Sequence, residues 1–466
     1  MENNIDLTKE KVSTKVKLNY SIASLAHGLI SGLVFANLTF FYQDKLDANP
    51  NYLSLAWFVF MFWNTINDPI ASYFIDNTRT KIGRRIPFIR YGSFFYGLAF
   101  IFCWFPVSPL DNQIGLFFNF LAALFILDTM YTIVGACFFS LPNEIAVTAK
   151  QRASLSVYTT FFGFINLVLG IVLPIMLLTG QVGEHPLFMP IIIIIGISSS
   201  LIMFFTSFGI KENMFAQLQE HEGFIEGLKL TFKNTPFWIY MIPAFLMQII
   251  SQMTSTGLLY YIQYVNQAPL YAVITFLLGL IIGALINLKK IKTWQPKKTG
   301  MINLLVAAIG LLSLFFGGRD PIISTVCFLI IGFGYIGILI IIPVLMGDVI
   351  DHDELITGKR REAIYGGVNA VVTKPAISIA SSLFLGIITF FGFIEHQEQT
   401  DSGILGILIA FCLLPAILLI GCAIALKWFP LDGPEWLKKK EYILQLHQKK
   451  EKEYLQSLSE RKENEK

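Results

Sequence analysis

Long apolar runs separated by polar segments set the pattern of this chain. A helix needs about 18 to 25 apolar residues to cross a hydrocarbon core about 30 Å thick. Six such runs lie in the first half: Leu18 to Phe41, Tyr52 to Ile75, Phe88 to Phe105, Ile114 to Ser140, Leu155 to Leu178 and Pro186 to Gly209. Six more follow: Pro236 to Tyr264, Ala268 to Leu288, Thr299 to Phe316, Pro321 to Leu345, Ala363 to Phe393 and Ile404 to Phe429. The polar stretch Lys211 to Thr235 is the longest internal loop. The pattern predicts an all-α membrane protein with an N-terminal segment 1–17, a six-helix bundle over 18–210, a central loop 211–235, a second six-helix bundle over 236–429 and a tail 430–466.

Composition agrees: 54% of the 466 residues are hydrophobic and 14% charged, against roughly 25% charged in an average soluble domain. The net charge of +3 is too small, and the basic residues too confined to the segments between apolar runs, for nucleic-acid binding. With the N-terminus inside, all of the 35 Lys and Arg except Lys45, Arg319 and Lys374 fall on the inner side. The positive-inside rule therefore predicts a cell-membrane protein with both termini cytoplasmic, expected to act as a monomer. Cys103, Cys137, Cys327, Cys412 and Cys422 all lie in apolar runs with no zinc-type spacing, so they read as small core hydrophobes. The start MENNIDLTKEKVSTKVK is too polar for a cleavable signal.

Ionisable groups inside the spans carry the candidate chemistry. The stretch Trp63 to Arg90 places Asp68 inside the second span and then breaks into Arg79, Lys81, Arg84 and Arg85. A charge at a helix centre costs roughly 2.5 to 3.5 kcal/mol and needs a functional reason to be there, which points to a membrane transporter. His27, Asn64, Asp68, Asp128 and Lys374 lie in the middle or inner half of spans 1, 2, 4 and 11. Opposite charges share the cost, so Lys374 is expected near Asp68 or Asp128, either as a coupling pair or as a structural one. Asp128 either faces a cavity or packs protonated. His27 suits proton transfer, or it is a hydrogen-bonded packing residue. Asn64 and Asp68, at i and i+4, share a helix face. With Thr132 they offer hard oxygens to a sodium ion if spans 2 and 4 meet.

Twelve spans split six plus six match the layout of the major facilitator superfamily, whose halves are built of inverted three-helix repeats with the substrate at the midplane. A narrower likeness follows from two motifs. NDPIASYFIDNTRTKIGRRIPF (67–88) resembles the helix 2 and loop 2-3 signature of the glycoside-pentoside-hexuronide:cation symporters, the family of the melibiose carrier. MGDVIDHDELITGKRREAIYGGVNAVVTKPA (346–376) resembles that family's loop 10-11 and its helix 11 lysine, and KLNY (17–20) and YTI (131–133) agree in type and place. The resemblance implies a sodium- or proton-coupled symporter with no further cofactor, moving a small-molecule solute through the lipid bilayer.

Carried over residue by residue, the family's cation site implies roles for Asp68, Thr132 and Lys374, but its first helix 2 carboxylate is here Asn64. One charge fewer weakens a sodium site, whereas proton coupling needs a single carboxylate, so the comparison leans to protons. The two aspartates that accept sugar hydroxyls in melibiose-type members are Gly28 and Gly135 here. His27, Asp128 and Tyr131, with Gln248 and Gln252 on span 7, are the candidate replacements, although such glutamines equally make interhelical bonds. The expected cargo is a sugar or glycoside. The alternatives are an amphipathic solute such as a lysophospholipid, or a non-transporting sensor.

Asp348, Asp351 and Glu354 are expected to close the cytoplasmic side through charge contacts with Arg84, Arg85, Arg360 and Arg361. The run from Asp351 to Glu354 reads better as a solvated gate than as a metal site. No hydrolase, metalloprotease or Walker motif appears, so an enzyme is not expected. Pro375 should kink span 11 beside Lys374. The charged tail is expected to lie near the headgroups or fray, with no transport role.

Overall fold

The computed structural model describes residues 12–78, 80, 82–146, 149–179, 186–210, 231–266, 269–358, 361–443 and 445–446. Most of the central loop, Arg360 and the last twenty residues lie outside this set. Among the described residues all regular structure is helical.

The first half contains α1 (Thr14–Phe40), α2 (Pro50–Asn77), α3 (Ile86–Trp104), α4 (Gln113–Ile145), α5 (Ala149–Leu178) and α6 (Phe188–Ser207). The second contains α7 (Thr235–Tyr264), α8 (Pro269–Trp294), α9 (Pro296–Gly317) and α10 (Pro321–Thr357). The eleventh span is broken into α11 (Glu362–Thr373) and α12 (Pro375–Phe390), and the twelfth into α13 (Asp401–Leu408) and α14 (Leu414–Lys427) around a π-helical turn, Ile409–Leu413. Eleven spans are long and apolar enough to cross a membrane by composition. The twelfth, α2, carries the polar run of Asn64, Thr65, Asn67 and Asp68.

Local chemistry sets the helix ends. Ser13, Asn49, Asn112, Asp320 and Thr400 cap α1, α2, α4, α10 and α13 by accepting from first-turn amides. Prolines open α2, α9 and α10, where a missing N–H costs nothing. Gly358, at φ 71°, ends α10 in the left-handed region.

In the first half α1 packs on α5 and α6, α2 on α4, and α3 on α4 and α6. In the second, α10 packs on α8 and α9, α14 on α7 and α9, and α12 on α7. Small residues permit close approach: a Cβ on Gly279 or Gly332 would collide with backbone atoms of the facing helix, Leu329 and Phe276 respectively. The halves meet where α2 lies along α12 and α1 along α7.

Both described ends of the chain lie on one face of the bundle. One hydrophobic cluster runs through the first half and into the second from the middle of the spans, at Ile249 and Ala376, to the opposite face, where Tyr260, Phe384, Phe393 and Phe411 lie. The terminal-face part of the second half, including Phe237, Leu345, Tyr365 and Trp436, is a separate cluster. The halves therefore share one core at the opposite face and have separate cores at the terminal face.

Two sequence expectations are corrected. Lys45, expected in a loop beyond the first span, is inside the protein, because a π-helical turn, Phe41–Lys45, prolongs α1. Lys45 and Asp44 form a 2.9 Å ion pair, each side chain 1% exposed. The tail, expected near headgroups or frayed, folds back in part: residues 433–443 are helical, Trp436 and Ile443 are buried, and the Trp436 ring lies 6.1 Å from that of His352 on α10.

Candidate functional site

The site is assembled where α2, α4 and the break between α11 and α12 converge. On α2, Asn64, Asn67 and Asp68 sit at i, i+3 and i+4, so one helix face presents all three. Pro375 has no N–H to continue the ladder, and the eleventh span breaks at Lys374. The Lys374 amide still donates to Ala370 O, and its own carbonyl accepts from Ile377 N at 3.1 Å and from Asn64 Nδ2 at 3.3 Å.

Lys374 Nζ donates to Asp68 Oδ1 and, at 3.2 Å, to Thr132 Oγ1 on α4. This ion pair bridges the two halves across 306 residues of sequence, with Lys374 and Asp68 side chains 15% and 24% exposed. Tyr131 lies beside it, its ring centre 5.8 Å from the ammonium. Asn67 Nδ2 reaches Asp128 Oδ2 at 2.8 Å, Thr132 Oγ1 at 3.0 Å and Asp128 O at 3.1 Å. Thr132 thus accepts from both Lys374 and Asn67 and joins two carboxylates, an ammonium and an amide into one network.

Asn64 takes a different place from the one expected. Its amide is turned to the Lys374 carbonyl, which steadies the helix break, while Asn67, which sequence reasoning passed over, holds Asp128 and Thr132. The signal was present in the spacing of Asn67 from Asn64.

His27 is packed among aromatic rings, stacked on Tyr131 at 5.2 Å and 8° and near Phe138 and Tyr96. Its Nδ1 is buried without a hydrogen-bond partner among the described residues. Gly28 and Gly135 have filled surroundings: a Cβ at Gly135 would stand 3.1 Å from His27 Nε2, and one at Gly28 would stand 2.5 Å from Asn166 Nδ2 on α5. Asn166 is a second residue that sequence reasoning missed, since nothing in the spacing of α5 ties it to α1.

Gln252 takes the interhelical role. Its Nε2 donates to Phe35 O on α1 at 2.8 Å and to Thr256 and Ser381, each at 3.1 Å. Gln248 is half-buried one turn earlier. From this level the halves are joined towards the opposite face. Ser382 donates to Ser54 O at 2.9 Å, Tyr260 to Gln43 Oε1 at 2.7 Å and Gln43 to Glu395 at 2.9 Å. Tyr264 donates to Asp44, and His396 lies 3.0 Å from Asp47.

At the terminal face two ion pairs involve the expected gate residues. Arg361 folds back over the Gly358 turn onto Asp353, with Nε donating to Oδ2 at 2.9 Å, and Asp348 pairs with Lys440 of the tail. Both pairs lie within the second half and its tail instead of across the halves. Arg84 and Glu354 are buried, Arg85 and Asp351 half-buried, and Arg360 is outside the described residues. Among the described residues no group of three or more His, Cys, Asp or Glu side chains is placed to hold a metal ion.

Residues 19–433 match the family described as MFS/sugar transport protein. The inner membrane symporter YicJ of Escherichia coli (strain K12) is 24% identical over 91% of this chain and 94% of its own. The isoprimeverose transporter of Lactiplantibacillus pentosus is 23% identical over 92% of this chain and 91% of its own. The crystal structure of a D-xylose-proton symporter superposes with a TM-score of 0.66 over 89% of this chain and 97% of that one at 13% identity, a likeness of fold alone. The chain belongs to the MFS/sugar transport protein family, as a transporter of the glycoside-pentoside-hexuronide:cation symporter type within the major facilitator superfamily.

Proposed function

We propose that this protein is a cation-coupled symporter of a sugar or glycoside, working by alternating access in the cell membrane with both termini cytoplasmic. The observation that carries the reading is the Lys374–Asp68 pair between the halves. An intramembrane lysine and carboxylate that satisfy each other are free to part when a cation takes the carboxylate and a solute takes the space. The relatives' names, an isoprimeverose transporter among them, support the solute class.

In this cycle Asp68 holds the coupling cation and Lys374 neutralises it when the site is empty. Tyr131 and His27 offer ring surface to a sugar, and Asn166, Asp128 and Gln248 offer polar contacts. The shared core at the opposite face supports an arrangement open towards the cytoplasm. Arg84, Arg85, Arg360, Asp351 and Glu354 are the proposed gate on that side, with the Asp348–Lys440 pair beside them.

The test is uptake into proteoliposomes of radiolabelled sugars, glycosides and a lysophospholipid under imposed proton or sodium gradients. A glycoside should accumulate in the wild type. Asp68→Asn should abolish accumulation and retain some exchange. Accumulation of the lysophospholipid alone would replace the sugar reading, and failure of every gradient to move any solute would leave a sensor.

A further inference from the structure

Three non-glycine residues among those described lie in the left-handed region, and two of them meet each other across the halves. Asp47, at φ 52°, follows the π-helical end of α1, and His396, at φ 56°, follows α12 in the second half. His396 Nε2 stands 3.0 Å from Asp47 Oδ1, with the two side chains 26% and 70% exposed. Each residue is held on its own half. The Asp47 carbonyl accepts from Gln113 Nε2 on α4 at 2.9 Å, and the His396 amide donates to Tyr264 Oη on α7 at 3.4 Å. Backbone of this kind persists only where its surroundings hold it, and here it aims an imidazole at a carboxylate. The other carboxylates near the ring have partners of their own: Asp44 pairs with Lys45 at 2.9 Å and accepts from Tyr264, and Glu395 accepts from Gln43 at 2.9 Å. Glu398 is exposed on the same loop. Asp44, Asp47, Glu395 and Glu398 outnumber Lys45, so the field around His396 favours a positive ring. Histidine is the side chain whose charge changes between about pH 5 and 8.

We propose that the His396–Asp47 contact is a pH-sensitive clasp that closes the face opposite the termini more firmly when its surroundings turn acid. This rests on the alternating-access reading above, which puts that face outside the cell and requires the halves to part there. The sign follows from the pair. A protonated ring attracts the Asp47 carboxylate, and the two meet only while this face is closed. As pH rises through the histidine range the ring becomes neutral, the charge attraction is lost, and a single hydrogen bond remains. An acid exterior therefore holds the carrier facing inwards and slows its return to the outside, whatever its cargo. A pair this open to water is weak and screened by salt. The response is accordingly graded, with about a threefold rise in the ratio of closed to open outer face between about pH 8 and pH 5.

The experiment uses the purified full-length protein and needs no transported solute. Spin labels are placed at Asp111→Cys and Phe316→Cys, exposed on the two halves at this face, the five native cysteines being buried. In the protein otherwise unchanged, the share of short distances should rise as pH falls through the histidine range. His396→Gln, which keeps a donor but takes no proton, should show the distribution of about pH 8 throughout, and His396→Arg, permanently charged, that of about pH 5. Asp47→Asn, which tolerates the left-handed backbone as aspartate does, should flatten the profile without unfolding the turn. A flat profile in the parent protein, or a pH response that survives in His396→Gln, would overturn the clasp, and glycoside uptake under an imposed gradient in the same preparation would then spare the symporter. Failure of all gradient-driven uptake with the distance response intact would overturn the symporter and spare the clasp.

Discussion

The phenol of Tyr260 on α7 donates a 2.7 Å hydrogen bond to Gln43 Oε1 in the π-helical end of α1, and Gln43 Nε2 donates to Glu395 Oε1 at 2.9 Å. These bonds cross between the halves at the face opposite the termini. Asp44 accepts from Tyr264 one residue further along. A π turn is what brings Gln43, Asp44 and Lys45 inward together.

If these bonds hold the opposite face closed, removing them shifts the conformational balance. Gln43→Ala combined with Tyr264→Phe removes partners worth about 1 kcal/mol each. Spin labels at Asp111 and Glu398, exposed on the two halves at this face, should then report a larger fraction of long distances than in the unmutated labelled protein. An unchanged distance distribution would assign closure to the apolar core alone.

The Lys374–Asp68 pair should be non-additive. Lys374→Ala leaves Asp68 and Asp128 together without their cation, and breaking a buried pair costs about 3 to 5 kcal/mol, less here because the two side chains are partly exposed. Asp68→Asn with Lys374→Ala removes both charges, so its melting temperature in detergent should lie above that of Lys374→Ala alone. A double variant that melts as low as the sum of the single losses predicts would show the two residues acting independently.

Glycines divide by what faces them. Gly332→Ala would press a methyl group against the Phe276 carbonyl on α8, where backbone cannot yield, and overpacking of this kind costs about 1 to 3 kcal/mol. Gly28→Ala meets only the end of the Asn166 side chain, which can turn away. Thermal unfolding should therefore register a clear loss for Gly332→Ala and a small one for Gly28→Ala, the latter relieved by Asn166→Ala.

The tail helix should behave as part of the second half. Trp436→Ala empties a buried site against His352, a change that costs about 3 kcal/mol or more in a core. Lys440→Ala leaves Asp348 buried without its partner. Both should lower the melting temperature, whereas truncation after residue 446 should not. Equal melting of all three would mean that the tail merely rests on the bundle.

Hydrophobic run length determined all the spans but the polar α2, because a bilayer demands about 20 apolar residues and tolerates few charges. Helical periodicity determined that Asn64 and Asp68 share a face of α2, and the Lys374-Pro375 order determined a break in span 11. The structure decided the rest, because periodicity shows which way a helix points but never what it meets. Lys374 had two possible carboxylate partners, and the packing of α2 along α12 selected Asp68. Asn67 bridges to Asp128 only because α2 and α4 are adjacent, and Asn64 turns to Lys374 only because α2 also reaches the second half. Lys45 lies inside because a π turn extends α1 and Asp44 neutralises it, a combination of backbone and charge that run length does not register.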